Sequence, residues 1–233
     1  QFNVFNKVMK IFIFGTGTIA EVAYSYLKNS KDFHIHGFVE FEKHLKSKKK
    51  FGLPIIKFEN IEESLPSSDF KGFIAIGYKN FNKEREHAFK LLKDKNYELI
   101  SFVHENSTIA KNVEIGENCM ILENQTIQPY VKIGNNVTLW SGNHIGHHSE
   151  ILENTFISSH VVISGGCKIG KNCFFGVNSS VADGIKINDF CSIFMNTSVS
   201  KNLDIRSIVV SKNSEIIIED DKKNKVITNK FYK

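Results

Sequence analysis

The sequence predicts a two-domain protein in which a small α/β domain precedes a prism-shaped parallel β-helix. Two features predict this fold. Over residues 109–204 a large apolar residue recurs at every sixth position without a break, which neither a helix of period 3.6 nor a flat strand of period 2 produces. Over residues 10–95 apolar strands alternate with helical segments, a pattern typical of a parallel α/β sheet.

The α/β domain is expected to span residues 1–104 and to contain two helices. The first helix follows a strand and a glycine turn, and Ile19, Val22, Ala23 and Leu27 lie on its apolar face. The predicted elements are strands over about residues 10–15, 34–40, 53–56 and 73–77, and a second helix over about residues 82–95.

The glycine turn is the candidate binding site of this domain. In the run Gly15-Thr-Gly17-Thr18, backbone N–H groups at the helix N-terminus could bind a phosphate. Glu40, at the end of the second strand, could accept a hydrogen bond from a ribose or a base. A G-x-G-x-x-A pattern is a weak signal by itself, so a tight strand–helix turn without a ligand remains the alternative. The Lys-rich run over residues 46–50 is interpreted mainly as a solvated loop.

The β-helix, expected over residues 105–205, is defined by its six-residue repeat. Each hexad forms one side of the prism with one apolar residue pointing inward, and three hexads make a coil, so about five coils are expected. All sixteen repeat positions are apolar and twelve of them are Ile. They are Ile109, Ile115, Ile121, Ile127, Ile133, Leu139, Ile145, Ile151, Ile157, Ile163, Ile169, Phe175, Val181, Ile187, Ile193 and Val199.

A second column, three places after each of these residues, predicts the corners of the prism. Twelve of its sixteen members are Asn or Gly, the residues that adopt positive φ most easily, so a left-handed corner is expected in every hexad. The next position is mostly small and fits a narrow interior. All four cysteines occupy it, which is typical of buried, reduced thiols.

Residues eighteen apart stack on neighbouring coils, and one corner column stands out. It places His147-His148 one coil away from Gly165-Gly166, so an imidazole lies beside a corner without side chains. His is enriched at positive φ, so His148 and His160 could be simple corner residues. His147 occupies a position with ordinary φ, which makes it the leading catalytic candidate. A further corner column, rich in Asn, is expected to face solvent.

Composition and charge narrow the possible partners. The net charge of +5 suits anionic small molecules but is weak evidence for nucleic acid. No apolar run reaches the length of a membrane span, and no signal-peptide pattern is visible at the N-terminus. A cytoplasmic protein without membrane insertion is therefore expected. Residues 206–233 contain short apolar runs and are predicted to form a hairpin-like tail that closes the open end of the coil.

Three stretches carry a family resemblance. The run LWSGNHIGHHSEILENTFISSHVVISGGCKIGKNCFFGVNSSVADG (residues 139–184), with FIFGTGTIAE and FIAIGYKNFNKER, resembles bacterial sugar acyltransferases of the bacillosamine-pathway and sialic-acid O-acetyltransferase type. The resemblance covers residues 10–205. It implies a Rossmann-like domain that holds a nucleotide-linked sugar, and a left-handed β-helix that forms a homotrimer and binds acetyl-CoA between subunits.

The resemblance also implies roles for individual residues. His147 matches the family's general base. Gly165, Val177 and Met195 match positions beside acetyl-CoA, and Gly166 and His160 are added to this candidate group. Gly15 and Gly77 match the sugar-nucleotide site, which is also expected to include Gly17, Thr18 and Glu40.

Four departures from the family pattern concern the two candidate sites. His148 replaces a Glu that orients the base, Phe156 replaces a His beside CoA, and Met195 replaces a glycine. Thr18-Ile19 also replaces a Gly-His pair in the nucleotide turn. These departures leave undecided which nucleotide is bound and which residue orients the general base. They do not change the expected reaction class.

The expected reaction is acetyl transfer from acetyl-CoA, used as a co-substrate without a metal, to a nucleotide-linked sugar. An amine needs less activation than a hydroxyl, which slightly favours N-acetylation over O-acetylation. More remote alternatives are a zinc enzyme similar to the γ-carbonic anhydrases, an NAD(P)-linked enzyme that uses the glycine turn, and a non-catalytic scaffold. The short α/β domain argues against an NAD(P)-linked enzyme, and the spacing of the His residues argues against a zinc enzyme.

Overall fold

The structure is a computed structural model that describes residues 8–212. The α/β domain has a five-stranded sheet of order β3-β4-β2-β1-β5, in which the pairs β4–β2, β2–β1 and β1–β5 are parallel and β3 runs antiparallel to β4. Its elements are β1 Met9–Phe14, α1 Thr18–Leu27, β2 Phe33–Glu40, β3 Lys49–Lys50, β4 Leu53–Lys57, α2 Ile61–Ser64, β5 Lys71–Ile74 and α3 Lys83–Asp94.

Both faces of this sheet are buried, which explains why its strands read as continuous apolar runs. Alternate residues of β1 point to opposite sides. Ile11 and Ile13 pack with α1, whereas Phe12 and Phe14 pack in the cluster that contains Leu92 of α3. The carboxyl ends of β1, β2 and β5 meet at one edge of the sheet, and this edge carries the glycine turn.

The second domain is the predicted β-helix. Its parallel two-residue strands stack into three faces, and residues eighteen apart pair across coils, as Ile127 pairs with Ile145. Face 1 contains Thr108–Ile109, Thr126–Ile127, His144–Ile145, Val162–Ile163, Ser180–Val181 and Ser198–Val199. Face 2 contains Glu114–Ile115, Lys132–Ile133, Glu150–Ile151, Lys168–Ile169 and Lys186–Ile187. Face 3 contains Phe102–Val103, Met120–Ile121, Thr138–Leu139, Phe156–Ile157, Phe174–Phe175, Ser192–Ile193 and Ile208–Val209.

The repeat residues fill the interior of the prism, and the corner prediction is confirmed over most of the coil. The second residue of each corner has positive φ from Asn118 to Asn196, whether it is Asn, Gly, Tyr, His or Phe. All four cysteines are buried and unpaired inside the coil. The corner between faces 1 and 2, which carries His147, is called corner I below. Corner II lies between faces 2 and 3, and corner III between faces 3 and 1.

The α/β domain packs against face 3 and the two corners that flank it, II and III. Met120 and Leu122 join the apolar cluster of α1, and the Tyr26 hydroxyl donates to Glu123 Oε2 at 2.8 Å. On α3, the buried Arg85 guanidinium donates to the Thr138 hydroxyl and to the Asn154 carbonyl oxygen at 3.0 Å. Face 3 therefore holds the α/β domain in place, whereas corner I lies on the opposite side of the prism.

This packing corrects the expectation for corner II. Its asparagines do not face solvent, since Asn118, Asn136, Asn154 and Asn172 are all buried. Their side-chain amides form a ladder, with Nδ2–Oδ1 distances of 2.8, 2.8 and 3.5 Å between successive coils. At the top of the ladder, Asn118 accepts from the Ile74 N–H at 2.7 Å. The ladder thus fixes the end of β5 to the coil.

The domain boundaries differ slightly from those expected. Phe102–Val103 already pairs with Met120–Ile121, so the coil begins before residue 105. Ile208–Val209 pairs in parallel with Ser192–Ile193 and extends face 3. These two residues therefore continue the coil instead of starting a hairpin, because they keep the inward and outward alternation of the last rung. The rest of the predicted tail, residues 213–233, lies outside the described residues.

Candidate active site

All five residues predicted to bind a sugar nucleotide line a single cavity. The cavity measures about 590 Å³ and lies at the carboxyl edge of the α/β sheet. Gly15, Gly17 and Thr18 come from the β1–α1 turn, Glu40 from the end of β2, and Gly77 from the segment after β5. The three strand ends meet there because parallel strands present their carboxyl ends at the same edge.

The turn is shaped for a ligand at the N-terminus of α1. Gly15 has φ +115°, and a Cβ there would lie 2.8 Å from the Ala75 carbonyl oxygen, so a glycine is required. A Cβ on Gly17 would have no neighbour within 4 Å and would project into open space. The first N–H groups of α1 therefore have room beside them for an anionic group.

Glu40 is held in a defined orientation. It is almost fully buried, its Oε2 accepts from the Thr16 hydroxyl at 2.8 Å, and its Oε1 accepts from the Phe41 N–H at 3.0 Å. A carboxylate fixed in this way binds hydroxyl or N–H donors, such as those of a ribose.

The sequence alone did not identify several other residues of this cavity. Lys43 and His44 follow β2, Lys79 follows β5, and Glu84 and His87 lie on α3. They were missed because they come from loops and from a second helix whose approach depends on tertiary packing. The Lys-rich run 46–50 does not line the cavity, and Lys50 instead forms an ion pair with Glu21 at 2.7 Å.

At corner I the stacked His and Gly residues lie in direct contact. A Cβ on Gly165 would lie 2.7 Å from His147 Cε1 and 2.8 Å from its Nε2, so the imidazole occupies the space that a side chain would need. The Gly165 N–H donates to Asp183 Oδ1 at 2.9 Å, and the Gly166 N–H donates to the His147 carbonyl at 2.8 Å. Both N–H groups are therefore engaged. Gly165 lets the His147 ring lie against the backbone, and a Cβ on Gly166 would have no neighbour nearer than the Gly184 Cα at 3.9 Å, so the open space of this corner lies beside Gly166.

The two histidines are linked to each other. Their Nδ1 atoms are 3.1 Å apart, so one ring donates an Nδ1–H to the lone pair of the other, depending on the tautomer. His148 has φ 59° and packs against Tyr130 at a centroid distance of 4.6 Å. Thus His148 is a left-handed corner residue and also the direct neighbour of the catalytic candidate.

The remaining residues predicted to bind acetyl-CoA lie at corner III. Val177 and Met195 are exposed and line a groove of about 520 Å³ between face 3 and the loop after β5. His160 packs against Gly142, since a Cβ on Gly142 would lie 2.6 Å from the Nδ1 of His160. Within one chain, the predicted acetyl-CoA residues therefore fall on two different corners, with Gly165 and Gly166 at corner I and the others at corner III.

Two further observations concern metals and membranes. Across residues 8–212, no group of three or more His, Cys, Asp or Glu side chains is arranged to hold a metal ion. In the same part of the chain, no helix has the length and apolarity needed to cross a membrane.

Comparison with known protein families agrees with both halves of this architecture. Residues 10–92 match the PglD N-terminal domain family. Residues 130–165 match the bacterial transferase hexapeptide family, and residues 166–201 match the hexapeptide repeat of succinyl-transferase. The chain thus joins a PglD-type N-terminal domain to a β-helix of the bacterial hexapeptide transferases. A search of curated protein sequences gave no significant match.

Solved structures share this two-domain fold. The acetyltransferase domain of PglB from Neisseria gonorrhoeae is 16% identical, with a TM-score of 0.76 over 85% of this chain and 95% of that domain. PerB from Caulobacter crescentus, solved in complex with CoA and GDP-perosamine, is 19% identical, with a TM-score of 0.77 over 87% of this chain and 94% of its own. At these identities the likeness establishes the fold.

Proposed function

We propose that the protein transfers an acetyl group from acetyl-CoA to the amino group of a nucleotide-linked sugar, with His147 as the general base. The observation that carries this proposal is the contact of the His147 ring with the side-chain-free Gly165 corner. It is supported by the cavity of the PglD-type domain, which offers a helix N-terminus for phosphates and a fixed carboxylate for a ribose. The similar PerB structure contains CoA and GDP-perosamine, a pair of the same chemical classes.

The chemical step needs one general base and unoccupied space beside it for the reacting groups. The sugar nitrogen attacks the thioester carbonyl carbon, and a C–N bond forms while a proton leaves the nitrogen. His147 Nε2 accepts this proton, the C–S bond then breaks, and the proton passes to the departing sulfur of CoA. An imidazole suits this exchange because it titrates near neutral pH.

The neighbouring histidine sets the tautomer of the base. If His147 donates its Nδ1–H to His148 Nδ1, its Nε2 keeps the lone pair that accepts the proton. His148 then fills the orienting role that the related enzymes assign to a Glu. A neutral imidazole stabilises the protonated His147 less than a carboxylate would, so this role is mainly one of orientation.

The position of the two sites supports a catalytic centre shared between subunits. The nucleotide cavity belongs to the domain that covers face 3, whereas His147 lies at corner I on the opposite side of the prism. A sugar held in the cavity cannot reach His147 of the same chain through the filled coil interior. We therefore propose a homotrimer in which the cavity of one subunit faces corner I of its neighbour, consistent with closed rotational symmetry.

A ligand screen tests this function. Thermal unfolding is measured with UDP-, GDP- and dTDP-linked amino sugars and with acetyl-CoA, because a ligand that binds the native state raises the melting temperature. We expect stabilisation by acetyl-CoA and by at least one sugar nucleotide, followed by release of free CoA thiol when both are present. Stabilisation by NAD(P)H, without any response to acetyl-CoA, would overturn the proposal.

A further inference from the structure

A short loop separates the nucleotide cavity from the groove at corner III. The loop, residues 78–82, follows Gly77 and precedes α3, and Lys79 lines both the cavity and the groove. Asn80, Phe81 and Asn82 have φ values of 50°, 50° and 60° in succession. Three consecutive left-handed residues are costly, so the surrounding contacts must fix this conformation.

Corner II supplies those contacts. Asn172 Nδ2 donates to the Phe81 carbonyl at 3.0 Å, and Asn82 Nδ2 donates to the Cys173 carbonyl at 3.1 Å. One turn later, Arg85 is fully buried and donates to groups of the coil. The C-terminal end of the loop is thus attached to the coil. This attachment defines the position of Tyr78, the first residue of the loop.

The half-exposed ring of Tyr78 packs on two other aromatic rings. Its ring centroid lies 4.8 Å from that of Phe156 and 4.7 Å from that of Phe174, and these two rings stack at 6.0 Å with an interplanar angle of 23°. Phe156 is buried, but Tyr78 keeps 49% of its surface exposed. The packing that holds the ring in place therefore leaves much of its surface open.

We propose that Tyr78 is the platform on which the pyranose ring of the nucleotide-linked sugar stacks. This inference rests on the proposed function. Gly77 and Lys79 line the cavity proposed to hold the phosphates, and Tyr78 between them lines the adjoining groove, so its ring stands where the cavity gives way to the groove. A sugar that extends from the terminal phosphate into this groove meets the exposed Tyr78 ring.

The chemistry of the two rings is complementary. One face of a pyranose carries mainly C–H groups, and aromatic rings bind such apolar, slightly positive faces through their negative π surface. Tyr78 would orient the sugar so that its amino group points away from the cavity, towards corner I of the neighbouring subunit. The alternative occupant of this surface is the pantetheine arm of CoA, because the groove that Tyr78 lines also contains Val177 and Met195.

Binding measurements on three variants distinguish these possibilities. Calorimetry is carried out with GDP-perosamine and GDP, or with the UDP or dTDP pair if the wild type prefers it, and with acetyl-CoA. Tyr78→Ala should weaken binding of the sugar nucleotide by roughly 3- to 12-fold while leaving the free nucleotide and acetyl-CoA unchanged. Tyr78→Phe keeps the ring and should bind like the wild type.

Phe51→Ala is the matched control. Phe51 is 53% exposed and stacks on Tyr24 at 4.6 Å, away from both sites, so this variant should leave all three affinities unchanged. Unchanged sugar-nucleotide binding by Tyr78→Ala would overturn the proposal, and so would a selective loss of acetyl-CoA binding, which would assign the ring to the pantetheine arm. If the wild type binds no sugar nucleotide of the panel, the proposed function itself fails, and this inference with it.

Discussion

At the scale of single residues, His147 and His148 have roles that substitution can separate. His147→Ala removes the proposed base and should lower kcat by roughly 10²–10⁴-fold with little change in acetyl-CoA affinity. His148→Asn keeps a corner residue that tolerates positive φ and an acceptor oxygen, so a smaller loss is expected. His148→Leu removes the acceptor and should lower kcat more than His148→Asn. Initial rates across pH 6–9 for all three variants measure this order. Near wild-type activity of His147→Ala at every pH would remove His147 from the mechanism.

Gly165→Ala tests the close contact between the His147 ring and the corner without side chains. A Cβ at this position would lie 2.7–2.8 Å from the His147 ring, so Gly165→Ala must displace the imidazole and narrow the site. We expect a loss of at least about tenfold in kcat/KM for acetyl-CoA, while the affinity for the sugar nucleotide stays unchanged.

Gly184→Ala provides the control for Gly165, because it lies one coil further along the same corner column and has open space around it. Its positive φ of 70° makes alanine slightly strained, so a small loss of stability without a loss of activity is expected. If Gly165→Ala lost affinity for acetyl-CoA and for the sugar nucleotide to the same extent, this result would indicate misfolding instead of a local effect.

At the scale of elements, helix α3 depends on one buried cation. Burial lowers the pKa of the Arg85 guanidinium to about 9, so the group still carries its charge at neutral pH. Its charge is balanced by carbonyl and hydroxyl oxygens of the coil and by the Phe156 ring, 5.7 Å away. The helix is therefore attached to face 3 through polar bonds to backbone, and these also position loop 78–82.

Removal of this cation should destabilise the junction between the domains. Arg85→Ala leaves a cavity and unpaired carbonyl groups, so we expect a loss of about 3 kcal/mol in unfolding free energy. Arg85→Met fills much of the volume and should cost less. Chemical denaturation measures both values. A loss below about 0.5 kcal/mol for Arg85→Ala would show that the polar bonds contribute little.

At the scale of the whole molecule, the arrangement of the two sites predicts complementation between subunits. Gly17→Val would obstruct the phosphate site, since this residue faces the cavity with open space around it, and His147→Ala lacks the base. Each variant alone should be nearly inactive. If the catalytic centre is shared, unfolding and refolding the two together should pair an intact cavity with an intact His147 in about a quarter of the sites.

The measured quantity is the specific activity of the co-refolded mixture relative to wild type refolded in the same way. Mixing without refolding is the control, because subunits that do not exchange cannot complement. Light scattering should show a trimer for each sample. No recovery in a mixture that contains mixed trimers would place the complete site within one chain.

The sequence by itself determined the features that follow from local periodicity. The six-residue repeat fixes which side chain points inward, because a strand that is two residues long between corners leaves one choice of register. The same counting placed Asn, Gly and His at left-handed corners and put His147 next to Gly165. The glycine turn and Glu40 were found because parallel strands bring their carboxyl ends together whatever the rest of the fold.

Only the tertiary structure decided how the two domains meet. Nothing in the local pattern distinguishes corner II from a solvent-facing corner, and its asparagines are buried because α3 and β5 pack against them. The same packing determines that loop 78–82 lies between the cavity and the groove, and that Tyr78 rests on Phe156 and Phe174. These contacts join residues far apart in the chain, and their energies depend on burial that a sequence pattern does not record.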